Sequence, residues 1–121
     1  MTIIDYAKSG DFNQIRNACR RGDDVELQDA QGKTALMYVS GNGDMRSVKL
    51  LVCQGADANA VDEQGWTALF YAAAGGHMEA VKFLMNNGAD TTATSKKRKG
   101  WTAASFASYH GHKEVAQFIK K

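Results

Sequence analysis

GWTALFYAAAGGHMEAVKFLMNNGA, residues 65–89, reads as a turn, a short small-residue helix, a Gly-Gly break, a second amphipathic helix and a Gly stop. Moved back by 33 residues, Gly65-x-Thr67-Ala68-Leu69 falls on Gly32-x-Thr34-Ala35-Leu36, Val81 on Val48, Leu84 on Leu51 and Gly88-Ala89 on Gly55-Ala56. Moved forward by 35, it meets Gly100-x-Thr102-Ala103, then Gly111-His112-x-Glu114 over Gly76-His77-x-Glu79, with Phe118 over Phe83. A fixed period in this range marks an architecture in which each unit buries its apolar side against the next.

Within each unit the residue types explain the elements. Thr34 and Thr67 stand where a hydroxyl can accept from the first free N–H groups of a helix. Ala72, Ala73 and Ala74 are small enough for neighbouring helices to approach within about 8–10 Å. Larger side chains at spacings of three and four (Val48, Leu50, Leu51 and Val52; Val81, Phe83, Leu84 and Met85; Val115, Phe118 and Ile119) predict second helices facing their neighbours. Gly55 and Gly88 supply the left-handed residue that releases the chain from a helix. Thr2 to Ser9 and Phe12 to Arg21 form a pair without the opening turn, a trimmed first unit whose Asn17 replaces Leu50 and Phe83. At the other end Lys113, Gln117, Lys120 and Lys121 keep the outer side of the last unit polar.

These motifs resemble the ankyrin repeat, whose unit runs G-x-T-P-L-H-x-A, G-H-x-E-x-V, L-L-x-x-G-A-D-x-N. The resemblance covers nearly the whole chain. It implies an all-α solenoid of four helix-turn-helix units joined by hairpin-like loops and curved to leave a concave face. The expected division of one domain, 1–121, is a capping repeat 1–31, repeats 32–64 and 65–99, and a closing repeat 100–121. This chain departs from the family at the Pro position, which is Ala35, Ala68 and Ala103, and at the His position, where Met37 and Phe70 stand. Tyr38, Tyr71 and Phe106 take a place the family fills with Leu and are expected in the core.

The chain has 121 residues, and no stretch is apolar enough to suggest a leader or a membrane span. Cys19 and Cys53 occupy non-equivalent positions of two repeats, which favours reduced thiols and a cytosolic or nuclear compartment. The net charge of +2 hides an asymmetry: residues 1–90 carry 8 Lys/Arg against 12 Asp/Glu, whereas 91–121 carry 7 against 1.

Trp66 and Trp101 follow the glycines of successive turns, where the preceding repeat has Lys33. In the family this position faces the concave, partner-binding side, together with the hairpin tips, here Ala30-Gln31 and Glu63-Gln64. Two readings of the tryptophans stay open: anchors for a partner, as aromatics dominate interface hot spots, or rings folded over the next hairpin. Tyr109 and His110 align with Ala74-Gly75, an exposed and variable place in the family, and add bulk beside Trp101. Lys96-Lys97-Arg98-Lys99 lies in a loop two residues longer than its equivalents. It reads either as a solvated tip or as a nuclear-import or phosphate contact. His77 and His112 recur at one repeat position, which marks them as structural; a zinc site needs closely spaced Cys or His. No nucleophile, base or phosphate loop is evident, so the expectation is a non-enzymatic monomer with no cofactor and no metal. Its partner is another protein, with nucleic acid the alternative.

Overall fold

The computed structural model describes residues 1–120, so the polar role expected of Lys121 lies outside the described residues. Eight helices follow in order: α1 (Ile3–Ser9), α2 (Phe12–Arg20), α3 (Ala35–Asn42), α4 (Met45–Cys53), α5 (Ala68–Ala74), α6 (Met78–Asn86), α7 (Ala103–Tyr109) and α8 (Lys113–Lys120). No strand occurs among the described residues. Each odd-numbered helix pairs with the helix after it, and α1, α3, α5 and α7 pack side by side as one layer. The second layer, α2, α4, α6 and α8, touches more sparsely between repeats.

Side-chain size accounts for this difference. Val39, Ala72, Ala73 and Ala107 are fully buried on the first helices and let their backbones close up. The second helices bury Val48 and Leu51, Val81 and Leu84, then Val115 and Ile119. Bulkier residues there keep neighbouring second helices in sparser contact than the first helices. Leu50, Val52, Phe83, Met85 and Phe118 are only half-buried, lying at the margin of the face they were expected to share.

Two further expectations are corrected. The Thr34 hydroxyl accepts from the Met37 N–H at 3.4 Å and that of Thr102 from Ser105 at 3.5 Å, but Thr67 makes no such bond. In the first two cases a sulfur or hydroxyl three residues on takes the Thr N–H in return; Phe70 has no acceptor to complete the exchange. Tyr38 and Tyr71, expected in the core, are half-buried because each hydroxyl reaches a loop carboxylate, whereas Phe106 is buried.

His77 and His112 each pack against a glycine of the preceding repeat. Asp11 and Asp44 cap the second helices by accepting from Gln14 and Ser47, but at the same place His77 instead donates from Nε2 to the Gly41 carbonyl at 2.9 Å, one repeat back. Gly43 and Gly76 have φ of 70° and 72°, and a Cβ on either would come within 2.6 Å and 2.5 Å of the imidazoles of His77 and His112. Only glycine meets both the left-handed backbone and the close approach of the ring.

Candidate functional site: the hairpin ladder and its ring row

The three loops between repeats close as hairpins on one backbone pattern. The N–H of Asp29 donates to the Lys33 carbonyl at 2.9 Å, Asp62 to Trp66 at 3.0 Å, and Ser95 to Trp101 at 2.9 Å. Each hairpin also bonds to the previous tip: Glu63 N–H to the Gln31 carbonyl at 3.0 Å, and Lys96 N–H to the Gln64 carbonyl at 2.9 Å. The tips Ala30-Gln31 and Glu63-Gln64 are therefore rungs of one hydrogen-bonded ladder. The third hairpin is longer, with five residues between its paired ends where the others have three.

The carboxylates at the hairpin bases are fully engaged. Asp29 accepts from the N–H groups of Gln31 and Lys33, both at 2.9 Å, and from the Tyr38 hydroxyl. Asp62, which is 4% exposed, accepts from Gln64 at 2.9 Å, Trp66 at 3.0 Å and the Tyr71 hydroxyl. Burial alone would raise the Asp29 carboxyl, but the bonds from Tyr38, Lys33 and Gln31 together hold it below its ordinary value. Burial first and the bond to Asp29 second push the Tyr38 hydroxyl up to about 12. Tyr71 moves in the same direction for the same reasons, through Asp62.

Lys33, Trp66 and Trp101 head this row, and each is half-buried. The Lys33 ammonium lies 5.3 Å from the centre of the Tyr38 ring and 5.2 Å from that of Tyr71. These residues, with Met37, Gly41 and Asn42, line a shallow pocket of about 180 Å³. Trp66 folds over the next hairpin: its indole N–H donates to the Ser95 hydroxyl at 3.1 Å, and its ring lies 4.6 Å from Phe106 and 5.2 Å from Tyr71. Trp101 stands 5.1 Å from Phe106 and 5.6 Å from Tyr109, and Tyr109 stacks on His110 at 5.2 Å. Tyr109 is 57% exposed.

The basic run is not four equivalent charges. The Arg98 guanidinium turns back onto Trp101 and Tyr109, 4.6 Å and 4.9 Å from their ring centres. Lys96 is tied by its backbone to Gln64 and runs its stem across Gly65. Lys97 shares a depression with Glu63 and Gln31, and Lys99 is exposed. The structure thus gathers Trp101, Tyr109, His110 and Arg98 at one end of the row and Lys33 with two tyrosines at the other, with Trp66 packed between.

Sequence reasoning missed the tyrosine–aspartate pairs and Lys8, whose ammonium lies 5.3 Å from the Tyr38 ring centre. A signal for the pairs existed. Asp precedes Tyr by nine residues twice, and where the carboxylate becomes Ser95 the phenol becomes Phe106. No three His, Cys, Asp or Glu converge as metal ligands among the described residues, and no described helix is long and apolar enough to cross a membrane.

The family model described as ankyrin repeats (3 copies) matches residues 3–95 and again residues 42–121. No curated protein matches the chain.

Proposed function

Because the chain belongs to the ankyrin-repeat family, whose members are generally protein-interaction modules, we propose that it is a non-catalytic module that docks another protein on its concave face. One observation supports the reading: Lys33, Trp66 and Trp101 head one row on hairpins bonded tip to tip. A surface held this way is formed before the partner arrives, so little conformational entropy is lost on binding. The contact residues are the tips Ala30, Gln31, Glu63 and Gln64 with Lys33, Trp101, Tyr109 and His110. Trp66 acts chiefly as the support that holds the third hairpin. The chain works as one unit of four repeats, a monomer of the cytosol or nucleus with Cys19 and Cys53 as free thiols.

Affinity capture from the source cell tests this with three baits. Tyr109→Ala/His110→Ala/Lys33→Gln alters the concave face, and Lys49→Gln/Lys82→Gln alters exposed positions on the second helices. The wild-type prey should be lost by the first variant and kept by the second. Loss with the second variant and retention with the first would place the interface elsewhere.

A further inference from the structure

We infer that the occupant of this face is an extended acidic segment of the partner, its carboxylates held at the two ends of the ring row. The inference rests on the concave-face reading above and names the chemistry that face accepts.

Charge and occupancy carry it. Three cations sit against the rings: Lys8 and Lys33 at Tyr38, and Arg98 at Trp101 and Tyr109. Among the described residues none of the three lies within ion-pair distance of a carboxylate, and the one ion pair is Arg21–Asp23, in another part of the chain. The aspartates beneath the row, Asp29 and Asp62, each already accept from three donors. They keep their charge, and Lys8 helps to hold the Asp29 carboxyl down, but neither forms a direct ion pair with a cation of the row. Glu63, the acid at the tips, shares its depression with Lys97. Lys8, Lys33, Lys97 and Arg98 against Asp29, Asp62 and Glu63 leave the row one net positive charge, although residues 1–90 as a whole carry an acidic excess.

The same contacts select a carboxylate-bearing peptide over a nucleic-acid strand. Bases need open aromatic faces on which to stack. Trp66 is enclosed by Phe70, Tyr71 and Phe106 at 4.6–6.0 Å, Trp101 is covered by Arg98, and Tyr109 meets both Arg98 and His110. What remains open are the exposed Tyr109–His110 pair and the N–H donors of Lys8, Lys33 and Arg98, which suit carboxylate oxygens. Lys33 and Arg98 stand on hairpins two repeats apart, about 16–20 Å at the usual helix spacing. An extended chain covers that in about five or six residues. The occupant is thus a segment with acidic residues about six positions apart and apolar residues between them, which lie along the half-buried rings of Trp66 and Trp101.

Random twelve-residue peptides displayed on phage, selected on the intact chain, test this directly. Selected peptides should be rich in Asp and Glu at about that spacing, and one synthesised for fluorescence anisotropy should lose about tenfold in affinity for Lys33→Gln and again for Arg98→Gln. Glu→Gln changes in the peptide should weaken it equally. Neutral or basic winners that lose binding to Tyr109→Ala/His110→Ala would overturn the acidic occupant and leave the concave face standing. Winners indifferent to every change on this face, or no winners at all, would sink both. A labelled ten-nucleotide oligo-uridine bound more tightly than the selected peptide would also overturn the inference.

Discussion

Replacing Tyr71 by Phe removes one oxygen, and the surroundings of that oxygen set the cost. The hydroxyl donates to Asp62, whose other donors are the N–H groups of Gln64 and Trp66. Asp62 is 4% exposed, so water cannot readily take the vacated place. A hydrogen bond to a charged acceptor contributes about 1.5–3 kcal/mol, and a buried acceptor deprived of a partner keeps its desolvation penalty. Two of three donors remain, so the expected loss is about 2 kcal/mol. Tyr38→Phe should cost less, about 1 kcal/mol, because Asp29 is only half-buried and water can reach it. Urea unfolding followed by circular dichroism reads both. With a slope of about 1–3 kcal/mol per molar for small proteins, Tyr71→Phe should lower the midpoint by about 1 M.

The fourth repeat supplies a control, since Ser95 and Phe106 replace the carboxylate and the phenol together. Asp62→Ser should therefore cost less in the Tyr71→Phe background than in the wild type, with a coupling of about 1–2 kcal/mol. Strictly additive effects, or a Tyr71→Phe loss under about 0.5 kcal/mol, would refute the claim that these groups stabilise each other.

Three further outcomes are expected. Leu51→Ala and Leu84→Ala, both at fully buried positions, should each cost about 2–5 kcal/mol, and Leu50→Ala clearly less; thermal unfolding ranks them. The Ser40 hydroxyl is buried with no protein partner, so Ser40→Ala should raise stability by about 1 kcal/mol in the same assay. The Tm should fall at both pH extremes through the Tyr38–Asp29 pair. The Tyr38 hydroxyl is raised when folded, so its stabilisation is intact below pH 10.0 and is lost as pH rises toward about 12. The Asp29 carboxyl is lowered, so its contribution is present above pH 3.8 and disappears on further acidification. Tyr38→Phe should flatten the alkaline arm.

Repeat grammar is local, which is why so much of the fold was legible. Glycines at helix ends, Thr-Ala at helix starts and apolar residues three and four apart each act within one turn of backbone. Helix positions agree with the sequence expectation to within a residue or two, as for α1 and α2. The row Lys33, Trp66, Trp101 could be found by register alone, whereas its contacts could not. Whether Trp66 faces a partner or the next hairpin depends on Ser95, 29 residues later, standing within reach of its indole N–H. The phenols were expected in the core because the family fills their place with Leu; their hydroxyls are satisfied by hairpin carboxylates, a contact that the comparison with Leu does not bring in.

The concerted exchange at the last hairpin explains why the two ends of the row differ. In the first two hairpins a carboxylate gathers two backbone donors and a phenol, and the tyrosine rings so positioned flank Lys33. At the third, Ser95 offers a single oxygen, and Phe106 asks nothing of it. That oxygen accepts from Trp66 of the preceding hairpin and from the Arg98 N–H. The two additional residues then give the loop the length to bring the Arg98 side chain back over Trp101 and Tyr109. Losing the Asp–Tyr pair does not leave a hole, because the loop refolds around the serine and places a second cation on aromatic surface. Restoring the pair with Ser95→Asp/Phe106→Tyr should draw the hairpin toward the form of the first two and weaken the hold of Arg98 on its rings.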